Sequence, residues 1–221
     1  MKGKAIARIV LFSMIALVLL CVLLAGLGLS SFAKPVSSQI VSVQSTGSEH
    51  EFAPGEVSSI FISWASGDID IQPADQDTVT VSEERSGGSS MVVRHLGSTL
   101  EIEAGESKWR LGVGKSTQKD LSIRVPRDWL CQSLEIKAAS ADIRVDGLTI
   151  TSVALNTASG NCVFTDCAVE KMQVNTASGD LDYSGVLNKL ELKGASADCN
   201  LRLSDAPAAI GMNTASGDLN L

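Results

Sequence analysis

The segment NTASGNCVF at residues 156–164 returns as NTASGDLDY at 175–183 and as NTASGDLNL at 213–221. Two further copies, KAASADIRV at 137–145 and KGASADCNL at 193–201, keep the Ala-Ser pair and an acidic residue two places beyond it. The shared serine stands at 140, 159, 178, 196 and 216, giving spacings of 19, 19, 18 and 20 residues. An earlier copy, WASGDIDI at 64–71, shows that the N-terminal half uses the same unit with degraded spacing. A period near twenty marks a repeat architecture in which each unit buries its apolar side chains only against its neighbours.

Counted from the serine, apolar residues alternate with polar ones, which is the periodicity of strands. Four places before it stand Ile136, Leu155, Val174, Leu192 and Met212, and six before it Leu134, Val153, Met172, Leu190 and Ile210. Three places after it come Ile143, Cys162, Leu181, Cys199 and Leu219, and five after it Val145, Phe164, Tyr183, Leu201 and Leu221. A third apolar point, eight places on, holds Leu148, Cys167 and Val186. The fold class read from this pattern is all-β: a parallel β-solenoid, right-handed as parallel crossovers usually are, with rungs of about 19 residues. The regular rungs begin near residue 130, and residues 40–130 are expected to add about four looser ones. Glycine follows the serine at 67, 160, 179 and 217, but Ala141 and Ala197 fill the same slot. That points to a column needing smallness rather than positive φ.

Outward from the repeat, composition agrees. The 221 residues are 44% hydrophobic but only 4% aromatic, so the core is built from small aliphatic side chains. All 25 acidic residues lie beyond residue 48, while Lys2, Lys4, Arg8 and Lys34 take four of the 18 basic ones, leaving a formal charge of -11 from residue 35 onward. Such a polyanion does not bind nucleic acid. The chain holds two histidines, His50 and His95, and lacks the GxSxG, HExxH, P-loop and dinucleotide-binding fingerprints. The short rungs leave no room for the long loops on which exported polysaccharide-cleaving β-helices build their sites, and Asp180 and Asp182 lie on one outward strand face with no cleft. The chain therefore reads as a non-enzyme.

Residues 9–29 carry no charge and suffice to span a bilayer. The basic residues before them place residues 1–8 in the cytoplasm, 30–39 as a linker and 40–221 outside the cell as one domain. The competing reading is a cleaved signal peptide, with Ser31-Phe32-Ala33 as the cleavage site and a secreted product.

The candidate site is an outward acidic ribbon formed by Asp68, Asp70, Asp142, Asp180, Asp182, Asp198 and Asp218, with Asn161, Arg144, Val163, Asn200 and Asn220 at intervening repeat positions. Stacked like charges repel, which invites a compensating cation such as calcium or a cationic partner. The plainer alternative is that each Asp accepts amides of its own turn, with no cofactor at all. Asn156, Asn175 and Asn213 form a second column, interrupted by Lys137 and Lys193, that can ladder its amides. Cys131, Cys162, Cys167 and Cys199 are read as small core residues, because Cys162 and Cys199 fall two rungs apart, about 9.6 Å, beyond disulfide reach.

The succession of parts resembles a bacterial β-strand-repeat family of unknown function described as adhesin-like. Ser66-Gly67-Asp68 supplies its N-terminal strand pair, Leu121 to Pro126 its strand ending in proline, and Ser140 to Asp218 its regular rungs. The resemblance covers residues 40–221 and implies an envelope protein, often held by one membrane helix, with some relatives acting in responses to cationic antimicrobial peptides. Two functions follow. The first is a membrane-anchored, non-enzymatic interaction or adhesin-like module of the cell envelope. The second is a sensor or regulatory component of an envelope-stress response, binding cationic peptides through the ribbon. The last rung stops five residues after Ser216 with no polar capping unit, so end-to-end self-association is expected there.

Overall fold

The computed structural model describes residues 43–46, 49–84, 91–104 and 119–221. The chain divides into two units, 1–39 and 40–221, and the described residues all fall in the second. The expected cytoplasmic segment 1–8, the expected membrane span 9–29 and the expected linker 30–39 lie outside the described residues, among which no helix is long and apolar enough to cross a membrane.

The second unit is an all-β repeat structure of mixed topology. Its C-terminal part stacks β8 (Leu130–Asp146), β9 (Thr149–Ser159), β10 (Cys162–Ser178), β11 (Leu181–Ser196), β12 (Cys199–Leu203), β13 (Ala209–Ser216) and β14 (Leu219–Asn220) in parallel. Register follows the repeat: Ile136 pairs with Leu155 and Val174 with Leu192, so each apolar column is continuous. Ile136, Leu155, Val174 and Leu192 of one column and Ile143, Cys162, Leu181 and Cys199 of another are buried, and the Phe164 and Tyr183 rings stack with centroids 6.0 Å apart.

The 18-residue rung has a specific cause. Phe164 pairs with Tyr183, but Cys167 pairs with Gly185, so β10 holds one more residue than β11 across this corner. The extra residue is absorbed where Asp166 takes φ 51°, the one non-glycine with positive φ among the described residues. Beyond the shift Val169 pairs with Leu187, and Val186 turns outward at 39% exposure while Leu187 is buried. The third apolar point is therefore corrected: Leu148 and Cys167 face the core as expected, and Val186 does not. The Tyr183 hydroxyl lies 3.0 and 2.7 Å from the carbonyls of Cys167 and Val186 and shares its one proton between them, which holds the displaced corner closed.

The N-terminal part departs from the expectation of four looser rungs. Only β3 (Ser59–Ala74) keeps the repeat register, with Ser66 opposite Ser140 and Asp68 opposite Asp142. Its other edge divides between two parallel neighbours, β6 (Thr99–Glu103) and β7 (Asp120–Pro126). Beyond these the pairing turns antiparallel: β6 to β5 (Val92–Leu96) to β1 (Val43–Thr46), and β7 to β4 (Val79–Glu84) to β2 (Glu49–Phe52). The reason is local. Gly97, at φ 64°, lets the chain reverse between Leu96 and Thr99 in two residues, and so short a return can only be antiparallel.

A buried ion pair fastens this end. The Glu83 carboxylate meets Lys119 Nζ at 2.7 Å and also accepts the Met91 amide at 2.7 Å, while the Lys119 carbonyl accepts the Trp64 indole at 2.8 Å. Two long-range side chains and the first stacked strand thus share one anchor.

Candidate functional site: a carboxylate ladder

The ribbon forms, and it is longer than the repeat indicated. Asp142 follows Asp68 in the pairing of β3 with β8, then come Asn161, Asp180, Asp198 and Asp218 at the corners of successive rungs. On the other side Asp120 of β7 adjoins Asp68, and Glu84 of β4 pairs with Asp120. Eight successive levels contribute one side chain each, from strands β4, β7, β3 and β8 and then from the corners between later strands, seven of them carboxylates, over roughly 34 Å at about 4.8 Å per level. Asp120 and Glu84 escaped sequence reasoning because they stand outside the Ala-Ser-Gly-Asp unit. Only the pairing of β7 and β4 brings them into line.

The carboxylates do not cap their own turns, which corrects the plainer alternative. Asp120, Asp142, Asp180 and Asp198, together with Asn161, reach to the neighbouring level: Asp142 Oδ1 accepts the Asn161 amide at 2.8 Å and Asn161 Oδ1 that of Asp180 at 3.2 Å. Asp180 Oδ1 accepts the Asp198 amide at 3.0 Å and Asp198 Oδ1 that of Asp218 at 2.8 Å, while Asp120 Oδ1 accepts that of Asp68 at 3.0 Å. The corner interrupts the regular strand ladder, and the side chain satisfies the amide exposed there. A main-chain N–H aimed at each carboxylate also offsets the repulsion between rungs. The ribbon persists for a structural reason, so its existence does not require a cation.

The corner glycines explain how rungs come so close. Gly160 and Gly179 have φ 112° and 143°, and a Cβ on them would lie 2.1 and 2.2 Å from the carbonyl oxygen one rung back. Ala141 and Ala197 have no such φ and are buried. The column therefore demands positive φ at its glycines as well as smallness, which corrects the expectation that smallness alone governed it. Ala141 keeps an ordinary backbone, as expected.

The second column, two residues on, runs Asp70, Arg144, Val163, Asp182, Asn200 and Asn220. Its amides link in series: Asn200 Nδ2 donates to Asp182 at 2.8 Å and Asn220 Nδ2 to Asn200 at 2.8 Å. The two arginines that form ion pairs with these columns lie at one end. Arg144 pairs with Asp68 at 3.1 Å and Arg124 with Asp70 at 2.9 Å. Among the described residues Asp142, Asp180, Asp182, Asp198 and Asp218 have no ion pair, so the uncompensated charge sits toward the C-terminal rungs. A shallow groove of about 310 Å³ lies at the arginine end between Asp68, Asp70, Glu84, Asp120, Arg124 and Arg144, and adjoins one of about 220 Å³ over Val163 and Thr165. Among the described residues no group of three or more His, Cys, Asp or Glu is arranged to hold a metal.

The asparagine column links Asn175 to Asn156 at 3.0 Å, and the lysines that interrupt it pair along their own strands, Lys137 with Glu135 and Lys193 with Glu191. All four described cysteines are free and buried. Burial pushes the thiol pKa of Cys131 and Cys162 up to about 12 and of Cys167 and Cys199 up to about 11, so they are inert hydrophobes.

No curated protein matches the chain. Among solved structures it is similar to a proposed cell adhesion protein from Clostridium sporogenes, at 11% identity and TM-score 0.42, over 82% of this chain and 98% of that one. It is also similar to a proposed adhesin from Bacteroides fragilis (9% identity, TM-score 0.36, 84% and 98% covered) and to one from Parabacteroides distasonis (11%, 0.29, 84% and 98%). The Toastrack DUF4097 family model matches residues 57–221, which takes in β3 through β14, and the chain belongs to that family.

Proposed function

We propose that the chain is a non-enzymatic interaction module of the bacterial envelope, adhesin-like in kind. In this reading residues 9–29 tether it with the N-terminus in the cytoplasm, and residues 40–221 stand outside as a closed, right-handed solenoid. The observation that carries the proposal is the set of outward columns. Polar side chains repeat in register from rung to rung, linked by side-chain hydrogen bonds, and form a stiff surface whose features are spaced rather than gathered into a catalytic pocket. Repeated, rigidly spaced groups suit a partner that is itself extended, because each rung adds one more contact of the same kind.

The division of charge favours a second reading, in which the partner is a cationic peptide lying along Asp180, Asp182, Asp198 and Asp218. The two are separated by titrating the full chain in lipid nanodiscs with an oligolysine peptide at several salt concentrations. Saturable binding that weakens as salt rises supports the peptide reading. Absence of binding removes it and leaves the neutral interaction surface. A catalytic turnover of any envelope polysaccharide would overturn both.

A further inference from the structure

Apart from Leu219 and Leu221 in the last strand, the large hydrophobics that stand exposed among the described residues are Leu130 at 67% and Val186 at 39%. Strand pairing puts these two on one line: Leu130 adjoins Thr149, Thr149 adjoins Ala168 and Ala168 adjoins Val186, on four successive strands from β8 to β11. Thr149 is exposed and Ala168 half-buried, so the line is a narrow apolar strip about 14 Å long at about 4.8 Å per level. Single exposed hydrophobics are ordinary on a protein surface, whereas an aligned row of them forms a contact face. The bulge at Asp166 completes the row, since without the extra residue Val186 would turn to the core.

Charge lies along one side of the strip. Asp128, Asp146 and Asp166 are exposed, stand two or three residues ahead of Leu130, Thr149 and Ala168, and form no ion pair among the described residues. Burial first, and then the charges of Asp146 and Asp166, push the Cys167 thiol up, which puts both carboxylates within electrostatic reach of the residue beside Ala168. The other side carries Gln132, Thr151, Glu170 and Asn188, all exposed and none a cation. These positions differ from those of the carboxylate ladder, so the strip is a second surface.

We propose that this strip docks an amphipathic helix of another protein, with its apolar side chains on Leu130, Thr149, Ala168 and Val186 and its lysines or arginines against Asp128, Asp146 and Asp166. Spacing favours the helix. Its apolar face repeats every turn of about 5.4 Å and drifts from the levels of about 4.8 Å by less than about 2 Å over the whole strip. An extended strand presents one face every 6.7 Å, roughly, and falls out of step after a single level. A bilayer with anionic headgroups is repelled by the same three carboxylates. A second copy turned about a two-fold axis would set its carboxylates against Gln132, Thr151, Glu170 and Asn188, which offer them no cation.

The test follows a fluorescent peptide of about 18 residues by anisotropy against the full chain in lipid nanodiscs. One form has leucines three and four apart with lysines on one flank, and its control has the same residues, hence the same charge, in an order that leaves no stripe. The striped peptide is expected to bind at least about tenfold more tightly than the control and to lose that advantage in Leu130→Ser/Val186→Ser, whose fold far-UV circular dichroism checks. Converting Asp180, Asp182, Asp198 and Asp218 to Asn leaves the advantage in place, so a ladder that binds no peptide does not alter this result. Two peptides that bind alike, or an advantage that survives the double variant, overturn the proposal. An oligomer that the double variant dissolves would assign the strip to a second copy and overturns it too. So does quenching by brominated lipid of a dye on Val186→Cys, in a Cys21→Ser background whose remaining native thiols are the four buried ones, because it would place the strip on the bilayer.

Discussion

Replacing Gly160 by alanine adds one methyl group to the corner, and the structure sets its cost. At φ 112° an L-residue is strained by about 1–3 kcal/mol. The new Cβ would also stand 2.1 Å from the Ala141 carbonyl oxygen, which is backbone and cannot rotate aside. Relief requires the two rungs to part by about 1 Å, enough to break contacts that fall off as steeply as hydrogen bonds do. Two bonds cross that gap, Asn161 N–H to Asp142 Oδ1 and Ile143 N–H to the Asn161 carbonyl, both at 2.8 Å. At about 1 kcal/mol each they bring the expected loss to about 3–5 kcal/mol. The reciprocal change, Ala141→Gly, meets no such barrier. It removes one buried methyl and loosens the unfolded chain, together about 1–2 kcal/mol. Urea unfolding of the full chain in mild detergent, followed by circular dichroism, measures both, provided the slope of each transition is compared to confirm that one cooperative unit unfolds. A Gly160→Ala loss within about 1 kcal/mol of wild type, or an Ala141→Gly loss equal to it, would refute the account of the corner.

Further expectations follow from the same geometry. Converting Asp180, Asp182, Asp198 and Asp218 together to Asn leaves the melting temperature nearly unchanged, because a carboxamide oxygen accepts the next amide as Asn161 already does, while oligolysine binding, where present, loses its salt dependence. Glu83→Ala leaves Lys119 buried without that partner and costs about 3–5 kcal/mol in a denaturant titration, against little change for a surface control such as Asp77→Ala. The four cysteines hold their protons in the folded chain up to pH about 11–12, whereas unfolded thiols ionise near 8.5–9, so their contribution is complete below pH 8.5 and declines as pH rises toward 11. Stability curves at pH 8 and pH 10 should show that fall, and a Cys-to-Ser set at the four positions should flatten it. Tyr183→Phe removes the one hydroxyl proton that the Cys167 and Val186 carbonyls share and costs about 1–2 kcal/mol by thermal unfolding.

Most of the C-terminal half was legible because one serine and four apolar offsets repeat in it, and a stacked rung has almost no freedom once those offsets are set. The register of Ile136, Leu155, Val174 and Leu192 is the one their spacing implies. Val186 was misread because a single bulge at Asp166 shifts the rung by one residue, and in a strand one residue exchanges inside for outside. The direction of the Asp side chains was likewise hidden. An Asp beside a glycine turn looks like a local cap in sequence, and only the stacking distance shows that the next rung's amide is the nearer one. In the N-terminal half the ribbon continues through Asp120 of the parallel β7 and Glu84 of the antiparallel β4 without any motif, since neither strand carries the Ala-Ser-Gly-Asp unit.

The carboxylate that reaches from one rung to the next also bears on how such a chain can change length. Asn161, Asp180 and Asp198 each carry at one address both the amide that the preceding rung holds and the acceptor that holds the next. Duplicating or deleting a whole period of the gene therefore joins a donor to an acceptor that already fits, and leaves no orphaned polar group at the splice. Insertions of other lengths break the joint at once. The ladder makes the period itself the unit of tolerated change, and relatives of different length are expected to differ by whole rungs.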